Sequence, residues 1–85
     1  MYMLENLETL LEIQKQGSMA RASTRLRVSQ SAVSKRIQAL ETYYETKLIE
    51  KSGRNVILTE VGEALVERIS PLLSGLTFLT ILKIS

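Results

Sequence analysis

Residues 19–26 and 30–43 form two short amphipathic segments that are separated by only three residues. Each segment follows a serine, Ser18 or Ser29, and serine is a residue type whose side chain readily accepts a hydrogen bond from the free N–H groups at a helix start. In the second segment the apolar residues recur at i, i+4 and i+7, the spacing of one helical face: Val33, Ile37 and Leu40. The pattern predicts two helices joined by a tight turn, a helix-turn-helix.

The rest of the chain predicts two further helices and a hairpin. Residues 4–16 form a first helix, because leucines recur there at helical spacing between glutamates. Two β-prone runs, 48–51 and 56–58, flank a four-residue connection of Ser, Gly, Arg and Asn that is typical of a hairpin. Thr59 is the expected N-cap of a fourth helix, in which Ser70-Pro71 either introduces a kink or starts a new helix. The predicted fold is therefore mainly α with a small β-hairpin.

The outer face of the third predicted helix is polar and free of acids. Residues 15–40 contain six basic residues and no acidic one, whereas residues 1–14 contain glutamates and no base. A helix face that is merely solvated usually mixes glutamate with lysine at i, i+4. A basic segment flanked by acidic or mixed ones is the asymmetry expected of a surface that faces a polyanion. The side chains of this outer face are Gln30, Ser31, Ser34, Lys35 and Gln38.

These residue types match the chemistry of duplex DNA. A helix fits the major groove, where glutamine bonds bidentately to adenine, serine bonds to several bases and lysine reaches guanine or a phosphate. Ser29 and the backbone N–H groups at the start of the third helix can hold a phosphate. Arg54, at the hairpin tip, is suited to a minor groove or to the flanking backbone. The cations expected to reach phosphates are Lys35, Arg36, Lys51 and Arg54.

The composition argues against several other classes of protein. Cysteine and histidine are both absent, which excludes disulfide scaffolds, zinc fingers and nucleophile–histidine pairs. The glutamates at positions 60, 63 and 67 have no histidine or metal-ligand spacing beside them, so helix-dipole compensation and solvation explain them. We therefore expect no catalytic site, no metal and no cofactor.

No segment of the sequence is expected to enter a membrane. Acidic residues interrupt the N-terminal region, so it lacks the apolar stretch of a signal peptide. Residues 69–82 carry no charge, but this stretch contains Pro71 and Gly75 and is too short to span a bilayer. The expected location is the cytoplasm.

A set of motifs occurs along the chain in a consistent order and spacing: Gly17-Ser18, Ala22 to Leu26, residues 28–34, Ile37, Leu40-Glu41, Leu48, Arg54 and residues 56–62. Through these motifs, residues 4–62 resemble the N-terminal domain of LysR-type transcriptional regulators. The resemblance implies a winged helix-turn-helix over residues 1–58, which binds double-stranded DNA. It also implies a linker or dimerisation helix and tail over residues 59–85. Family members continue into an effector-binding domain that is missing here, so a small-molecule effector would act only through that absent domain, and the chain is expected to be an excised domain or a natural truncation.

The resemblance also implies roles for individual residues. By position, the resemblance makes Arg54 the wing contact. It also implies four recognition contacts on the third helix: Gln30, Ser31, Ser34 and Lys35. Tyr44-Glu45 stands where the family commonly has Leu-Gly, so the chain lacks the glycine that normally provides a left-handed cap after the third helix. The complete set predicted to contact DNA is Ser18, Ser29, Gln30, Ser31, Ser34, Lys35, Gln38, Lys51, Arg54 and Thr59.

The fourth helix is expected to carry the dimer interface. About twenty residues from Thr59 would span on the order of 30 Å, which is longer than a core of this size can cover. An exposed apolar stripe of that kind marks an interface, and antiparallel pairing of two such helices would bury it in a homodimer. The stripe consists of Leu65, Val66, Ile69, Leu72, Leu73 and Leu76.

One alternative function remains open from the sequence. A winged helix can also serve as a protein–protein interaction module, with the third helix packed on a partner. Interaction helices depend on an aromatic or leucine anchor, and the outer face of the third helix has neither. The sequence therefore favours DNA over a protein partner.

Overall fold

The computed structural model describes the backbone of residues 2–84 and the side chains of residues 3–72. Within this part of the chain, four helices and two strands follow one another: α1 (Tyr2–Gln16), α2 (Met19–Leu26), α3 (Gln30–Tyr44), β1 (Ile49–Ser52), β2 (Asn55–Leu58) and α4 (Glu60–Ile84). The predicted fold class, mainly α with a small β-hairpin, is confirmed.

The hydrophobic core lies where α1, α2 and α3 meet, with contributions from the hairpin and from α4. The stripe predicted on α3 is confirmed, since Val33, Ile37 and Leu40 are all buried. Alanine and serine at positions 22 and 23 are also buried, and such small side chains allow neighbouring helices to approach closely. The buried apolar cluster comprises Leu10, Ile13, Ala22, Val33, Ile37, Leu40, Leu48, Leu58 and Val66.

Side-chain caps begin three of the helices, as predicted. The Ser18 hydroxyl accepts a hydrogen bond from the Arg21 N–H at 3.2 Å. The Ser29 hydroxyl accepts one from the Ala32 N–H at 3.0 Å, and the Thr59 hydroxyl accepts one from the Gly62 N–H at 3.1 Å. Each bond satisfies an N–H group that has no partner within its helix.

The chain leaves α3 through a left-handed residue although no glycine is present. Glu45 adopts φ 54° and ψ 42°, and its N–H points to the carbonyl oxygens of Glu41 and Thr42. The Thr46 N–H also donates to the Glu41 carbonyl, at 3.1 Å. A left-handed conformation costs a residue other than glycine about 1–2 kcal/mol. The capping hydrogen bonds and the packing of the following segment offset that cost, so the missing glycine does not abolish the cap.

The turn of the hairpin is shorter than the sequence predicted. The strands pair antiparallel from Ile49 opposite Leu58 to Ser52 opposite Asn55. The connection is therefore a two-residue turn, Gly53-Arg54, and the predicted four-residue connection is wrong because its outer two residues complete the ladder. Gly53 has φ +64°, and a positive φ at the first central position followed by a residue with negative φ is the pattern of a type II′ turn.

The carboxylate of Glu41 anchors the start of β1. Glu41 Oε2 accepts hydrogen bonds from the N–H of Leu48 at 2.8 Å and from that of Ile49 at 3.4 Å. On the other strand, the Val56 N–H donates to the Gly17 carbonyl at 3.1 Å. The hairpin is thus tied both to the end of α3 and to the turn between α1 and α2.

The first turn of α4 rests on the backbone that leads into β1. The Thr59 N–H donates to the Leu48 carbonyl at 2.9 Å, and the Thr59 hydroxyl donates to the Lys47 carbonyl at 2.7 Å. A Cβ atom placed on Gly62 would collide with the same Leu48 carbonyl oxygen and would lie 3.2 Å from Cβ of Leu58. Gly62 is therefore required for close approach rather than for conformational freedom.

Helix α4 runs without a break through Pro71, so no new helix starts at Ser70-Pro71. The stripe expected on its surface is wrong in part. Val66 is 3% exposed and Ile69 is 9% exposed, because α4 packs along α1, where Gln14 Nε2 donates to Glu63 Oε2 at 3.1 Å.

Other members of the expected stripe lie differently. Leu65 is partly buried against the core, whereas Leu72 is 68% exposed. The side chains of Leu73 and Leu76 lie outside the described residues. Among the described residues, no helix is both long enough and apolar enough to cross a membrane.

Substituting Gly62 by alanine tests the docking of α4. Alanine has the higher helix propensity by up to about 1 kcal/mol, yet we expect Gly62→Ala to lower the free energy of unfolding by about 1–3 kcal/mol, because the added methyl displaces backbone in a packed site. Urea denaturation measures the change, with Glu67→Ala on the exposed side of α4 as a control that shifts it by less than about 0.5 kcal/mol. A Gly62→Ala variant as stable as the parent would contradict the close approach.

Removing the Glu41 carboxylate tests the anchor of the hairpin. Glu41→Ala leaves the buried Leu48 N–H without a partner, so we expect a loss of about 1–3 kcal/mol in the free energy of unfolding. Glu41→Gln retains one acceptor oxygen and should lose clearly less. Equal losses in the two variants, again measured by urea denaturation, would show that the acceptor is not what matters.

Candidate nucleic-acid interface

The outer face of α3 is open to solvent. The buried stripe at Val33, Ile37 and Leu40 holds one side of the helix against the core, so the polar side faces outward. Ser34 is half-buried, and the other four predicted side chains of this face are exposed: Gln30, Ser31, Lys35 and Gln38.

A cleft of about 400 Å³ lies between the starts of α2 and α3 and the hairpin tip. Four residues that were predicted separately from three segments of the chain line it: Ser18, Gln30, Lys51 and Arg54. The two tie points of the hairpin hold the tip beside the two helix starts, because Val56 is the second residue after the tip and its N–H is bonded to the Gly17 carbonyl. The structure therefore brings these four predicted residues together.

A second cleft, of about 490 Å³, lies between α3 and β1. Ser34, Gln38 and Lys51 line it, and Lys51 also lines the first cleft. Its apolar lining comes from Met19, Ile37, Ile49 and Val56. The two clefts share residues and form one surface, here called the α3–hairpin face, which is defined by Ser18, Gln30, Ser34, Gln38, Lys51 and Arg54.

Three of the exposed cations on α3 and the hairpin have no acidic partner. Among the side chains of residues 3–72, no carboxylate lies within 4.0 Å of the charged groups of Lys35, Lys51 or Arg54. Three other cations are paired: Arg25 Nε with Glu12 at 3.7 Å, Arg36 Nη2 with Glu5 at 3.6 Å and Lys47 Nζ with Glu41 at 3.7 Å. The remaining cations among residues 3–72, which are Lys15, Arg21, Arg27 and Arg68, also have no carboxylate within 4.0 Å. Lys35, Lys51 and Arg54 are therefore available to an anionic partner beside the polar face of α3.

Arg36 does not belong to this surface, which corrects its place among the phosphate-reaching cations. Its Nη1 donates to the Thr9 hydroxyl on α1 at 3.3 Å. Arg36 lies two residues from Ser34 and two from Gln38, and at about 100° per residue it points to the opposite side of α3. The basic count of the sequence did not distinguish the two sides of the helix.

Four of the predicted contacts line neither cleft: Ser29, Ser31, Lys35 and Thr59. Lys35 is exposed on α3. Ser29 and Ser31 lie at the exposed start of α3, where Ser29 is the cap. The Thr59 hydroxyl both donates to Lys47 and accepts from Gly62, so its hydrogen-bonding capacity is used within the chain. The geometry gives no support to a DNA contact by the Thr59 side chain.

The sequence analysis missed residues that shape the clefts. Met19 and Val56 contribute to the lining of both clefts, and Asn55 lines the first. Lys47 and Glu41 line the second. Glu41 was part of the motif Leu40-Glu41 and was the first acid after the basic segment, but neither signal reveals a hydrogen-bond partner seven residues later.

Comparisons with known proteins identify the family. The model for bacterial regulatory helix-turn-helix proteins of the lysR family matches residues 4–63. An HTH-type transcriptional regulator of Vibrio cholerae is 46% identical over 79 residues, which cover 89% of this chain and 28% of the relative. One from the ibpB-leuC intergenic region of Azotobacter vinelandii is 42% identical over 73 residues, covering 86% of this chain and 51% of the relative. The chain thus spans about a quarter to a half of the length of such relatives.

Solved structures show the same architecture. The CbnR_DBD–DNA complex superposes with a TM-score of 0.82 at 30% identity and covers 93% of this chain and 91% of that one. The complex of BenM_DBD with benA site 1 DNA has a TM-score of 0.85 at 25% identity, with 94% and 93% covered. Together with the match over residues 4–63, these findings show that the chain belongs to the lysR family of bacterial regulatory helix-turn-helix proteins and contains the winged helix-turn-helix domain of that family.

Proposed function

We propose that this domain binds duplex DNA sequence-specifically through the α3–hairpin face. The start of α3 enters the major groove, and the hairpin acts as the wing on the adjacent minor groove or backbone. The observation that carries the proposal is the convergence of Gln30, Lys51 and Arg54 on one cleft, with both cations free of acidic partners. Two similar structures, those of CbnR and BenM, are complexes with DNA, which supports the same partner here.

Each part of the surface has a distinct role in this proposal. Gln30 and Ser31 lie at the first turn of α3, from which side chains reach base edges. Lys51 and Arg54 on the hairpin neutralise phosphates and supply affinity that does not depend on sequence. Ser18 and Ser29, which cap α2 and α3, leave their hydroxyl protons and the neighbouring N–H groups for phosphate oxygens. Ser34, Lys35 and Gln38 extend the contact along α3.

The whole protein acts, on this proposal, as a transcriptional regulator rather than an enzyme. A bacterial regulator meets DNA in the cytoplasm, which is the location we assign to it. Its response to a small molecule would come from the family's effector-binding domain, outside the winged helix-turn-helix.

A homodimer formed through α4 completes the proposal. The helix has 25 residues, which is about 38 Å at 1.5 Å per residue, and Leu72 is 68% exposed on it. Pairing of two α4 helices about a two-fold axis would cover Leu72 and present two α3 helices to half-sites one DNA turn, or a multiple of it, apart. Leu65, Leu73 and Leu76 are the other members of this proposed seam.

A protein-binding role for the α3 face has less support. The large apolar side chains that are exposed within residues 3–72 are Leu4, Tyr43, Tyr44, Ile57, Val61 and Leu72. None of them lies on the polar outer face of α3, so that face offers no anchor for a protein partner.

Alanine substitutions separate base reading from phosphate contact. On a duplex selected from a random pool, Gln30→Ala should weaken binding by about 1–3 kcal/mol and relax the preference at one base position. Arg54→Ala should weaken binding to selected and scrambled duplexes alike. Arg25→Ala serves as the matched control, because the Arg25 guanidinium is paired with Glu12, and it should leave both affinities nearly unchanged. Fluorescence anisotropy with each duplex gives the dissociation constants.

The outcome that contradicts the assignment is specific. If Gln30→Ala keeps the base preference of the parent in a repeated selection, Gln30 does not read bases. If the parent protein binds no duplex, or binds with an affinity that does not fall as the salt concentration rises, the proposed function itself is wrong.

Charge placed on the α4 surface tests the dimer. Leu72→Glu combined with Leu76→Glu should give a folded monomer that loses most of its affinity for a two-half-site duplex and retains weak non-specific binding, because the two domains no longer bind together. Light scattering reports the mass, and a thermal melt reports folding. Tyr43→Glu is the control, since Tyr43 is 67% exposed at the end of α3 and its replacement should leave the dimer intact. A dimeric double variant would refute the seam.

A further inference from the structure

A polar network joins α3 to α1 on the side away from the α3–hairpin face. Thr9 on α1 is fully buried, and its hydroxyl donates to the Glu5 carbonyl at 2.8 Å. The same hydroxyl oxygen accepts a hydrogen bond from Arg36 Nη1 at 3.3 Å. Arg36 Nη2 lies 3.6 Å from Oε2 of Glu5. One guanidinium on α3 thus engages two positions of α1 that are one helical turn apart.

The bonding capacity of Thr9 fixes the direction of this link. A threonine hydroxyl has a single proton, and here the Glu5 carbonyl takes it. The lone pairs of the hydroxyl are then the groups that can face Arg36, which has only donors. The side chain of Arg36 is 25% exposed, so most of it is held within the protein.

Hydrogen bonds restrict movements of α3, its rotation and its sliding, that burial of apolar side chains alone restricts only weakly. Burial of Val33, Ile37 and Leu40 favours α3 on the core, but hydrophobic burial is not directional and restricts rotation or sliding of the helix only through packing shape. Hydrogen bonds depend strongly on distance and angle, and the planar guanidinium places its donors in a fixed fork. The contacts that Arg36 makes with Thr9 and Glu5 therefore depend on the rotation of α3 and on its position along α1.

We propose that Arg36 and Thr9 are positioning residues that set the orientation of α3 for base reading, an inference that rests on the proposed DNA-binding function. Base-edge contacts need their side chains held to about 0.5 Å. Attraction between a cation and a phosphate falls only gradually with distance. Loss of the network therefore lowers the preference for the selected duplex and leaves non-specific binding in place.

The test measures the ratio of the dissociation constants for a scrambled and a selected duplex, using the complete chain. Thr9→Val removes the hydroxyl while keeping the shape of the buried side chain, and Arg36→Met keeps an apolar stem without the donors. We expect each variant to lower the ratio by about 3- to 10-fold, a part of what one bidentate base contact discriminates. Binding to the scrambled duplex should change by less than about twofold. The double variant should be no worse than Arg36→Met alone, because without the guanidinium the Thr9 hydroxyl has no donor on α3 to accept from.

Three further variants separate positioning from other roles. Thr9→Ser retains the hydroxyl and should recover the parental ratio. Gln14→Met removes the α1–α4 hydrogen bond to Glu63 and should leave the ratio unchanged. Lys35→Met removes an exposed cation, so it should weaken both duplexes and reduce the salt dependence of binding by about one unit of log–log slope per phosphate contact. Circular dichroism confirms that each variant is folded at the assay temperature.

The outcomes distinguish this inference from the function on which it rests. A parental ratio in folded Thr9→Val and Arg36→Met, or a loss in Thr9→Ser equal to that in Thr9→Val, would overturn the positioning role alone. A drop in salt dependence for Arg36→Met as large as that for Lys35→Met would make Arg36 a phosphate contact instead and would also overturn it. A parent that prefers no duplex would overturn the proposed function together with this inference. A lowered ratio with unchanged salt dependence and rescue by Thr9→Ser supports it.

Discussion

The packing of one side of α3 against α1 is the constraint on which the other features depend. Val33, Ile37 and Leu40 are buried there, and in a chain of 85 residues few other surfaces can form a core. Because that side of the helix is committed to the interior, the opposite side must face solvent. The polar face of α3 is therefore available to a partner because of how the core is built.

A few hydrogen bonds hold the hairpin beside α3 and so define the α3–hairpin face. The Glu41 carboxylate ties the end of α3 to the start of β1, and the Val56 N–H ties β2 to the turn between α1 and α2. The start of α4 is bonded to the backbone of Leu48, the residue whose N–H donates to Glu41, because the Thr59 N–H donates to the Leu48 carbonyl. The hairpin is small, and two strands alone are marginally stable in water, so its position beside α3 depends on these attachments.

The order of elements could be predicted from the sequence, because helix caps and apolar spacing are local signals. Three helices begin as expected at the caps Ser18, Ser29 and Thr59. No local pattern showed the contact of Gly62 with the Leu48 backbone or the hydrogen bond of Glu41 to it. Local patterns did not predict the two-residue hairpin turn, the left-handed Glu45 or the continuity of α4 through Pro71.

The candidate site was predictable to a similar degree. Spacing alone grouped the residues on the outer face of α3, and turn chemistry placed Arg54 at the hairpin tip. Composition could not tell which cations were already paired, so Arg36 was assigned outward although it faces Thr9. It also could not show that Val66 and Ile69 are covered within the same chain, because the docking of α4 on α1 is a long-range event.

The two-residue tip of the hairpin limits how its reach can vary. Side chains of a strand alternate between faces. Adding one residue to the base of each strand would therefore turn Lys51 and Val56 to the opposite faces of the hairpin. Lengthening that preserves the facing adds two residues to each strand, which is about 6–7 Å at a time. A step of that size is more than half the width of a major groove, about 12 Å. Fine adjustment of the wing therefore falls to the side chain at position 54, where arginine is among the longest and can still bend.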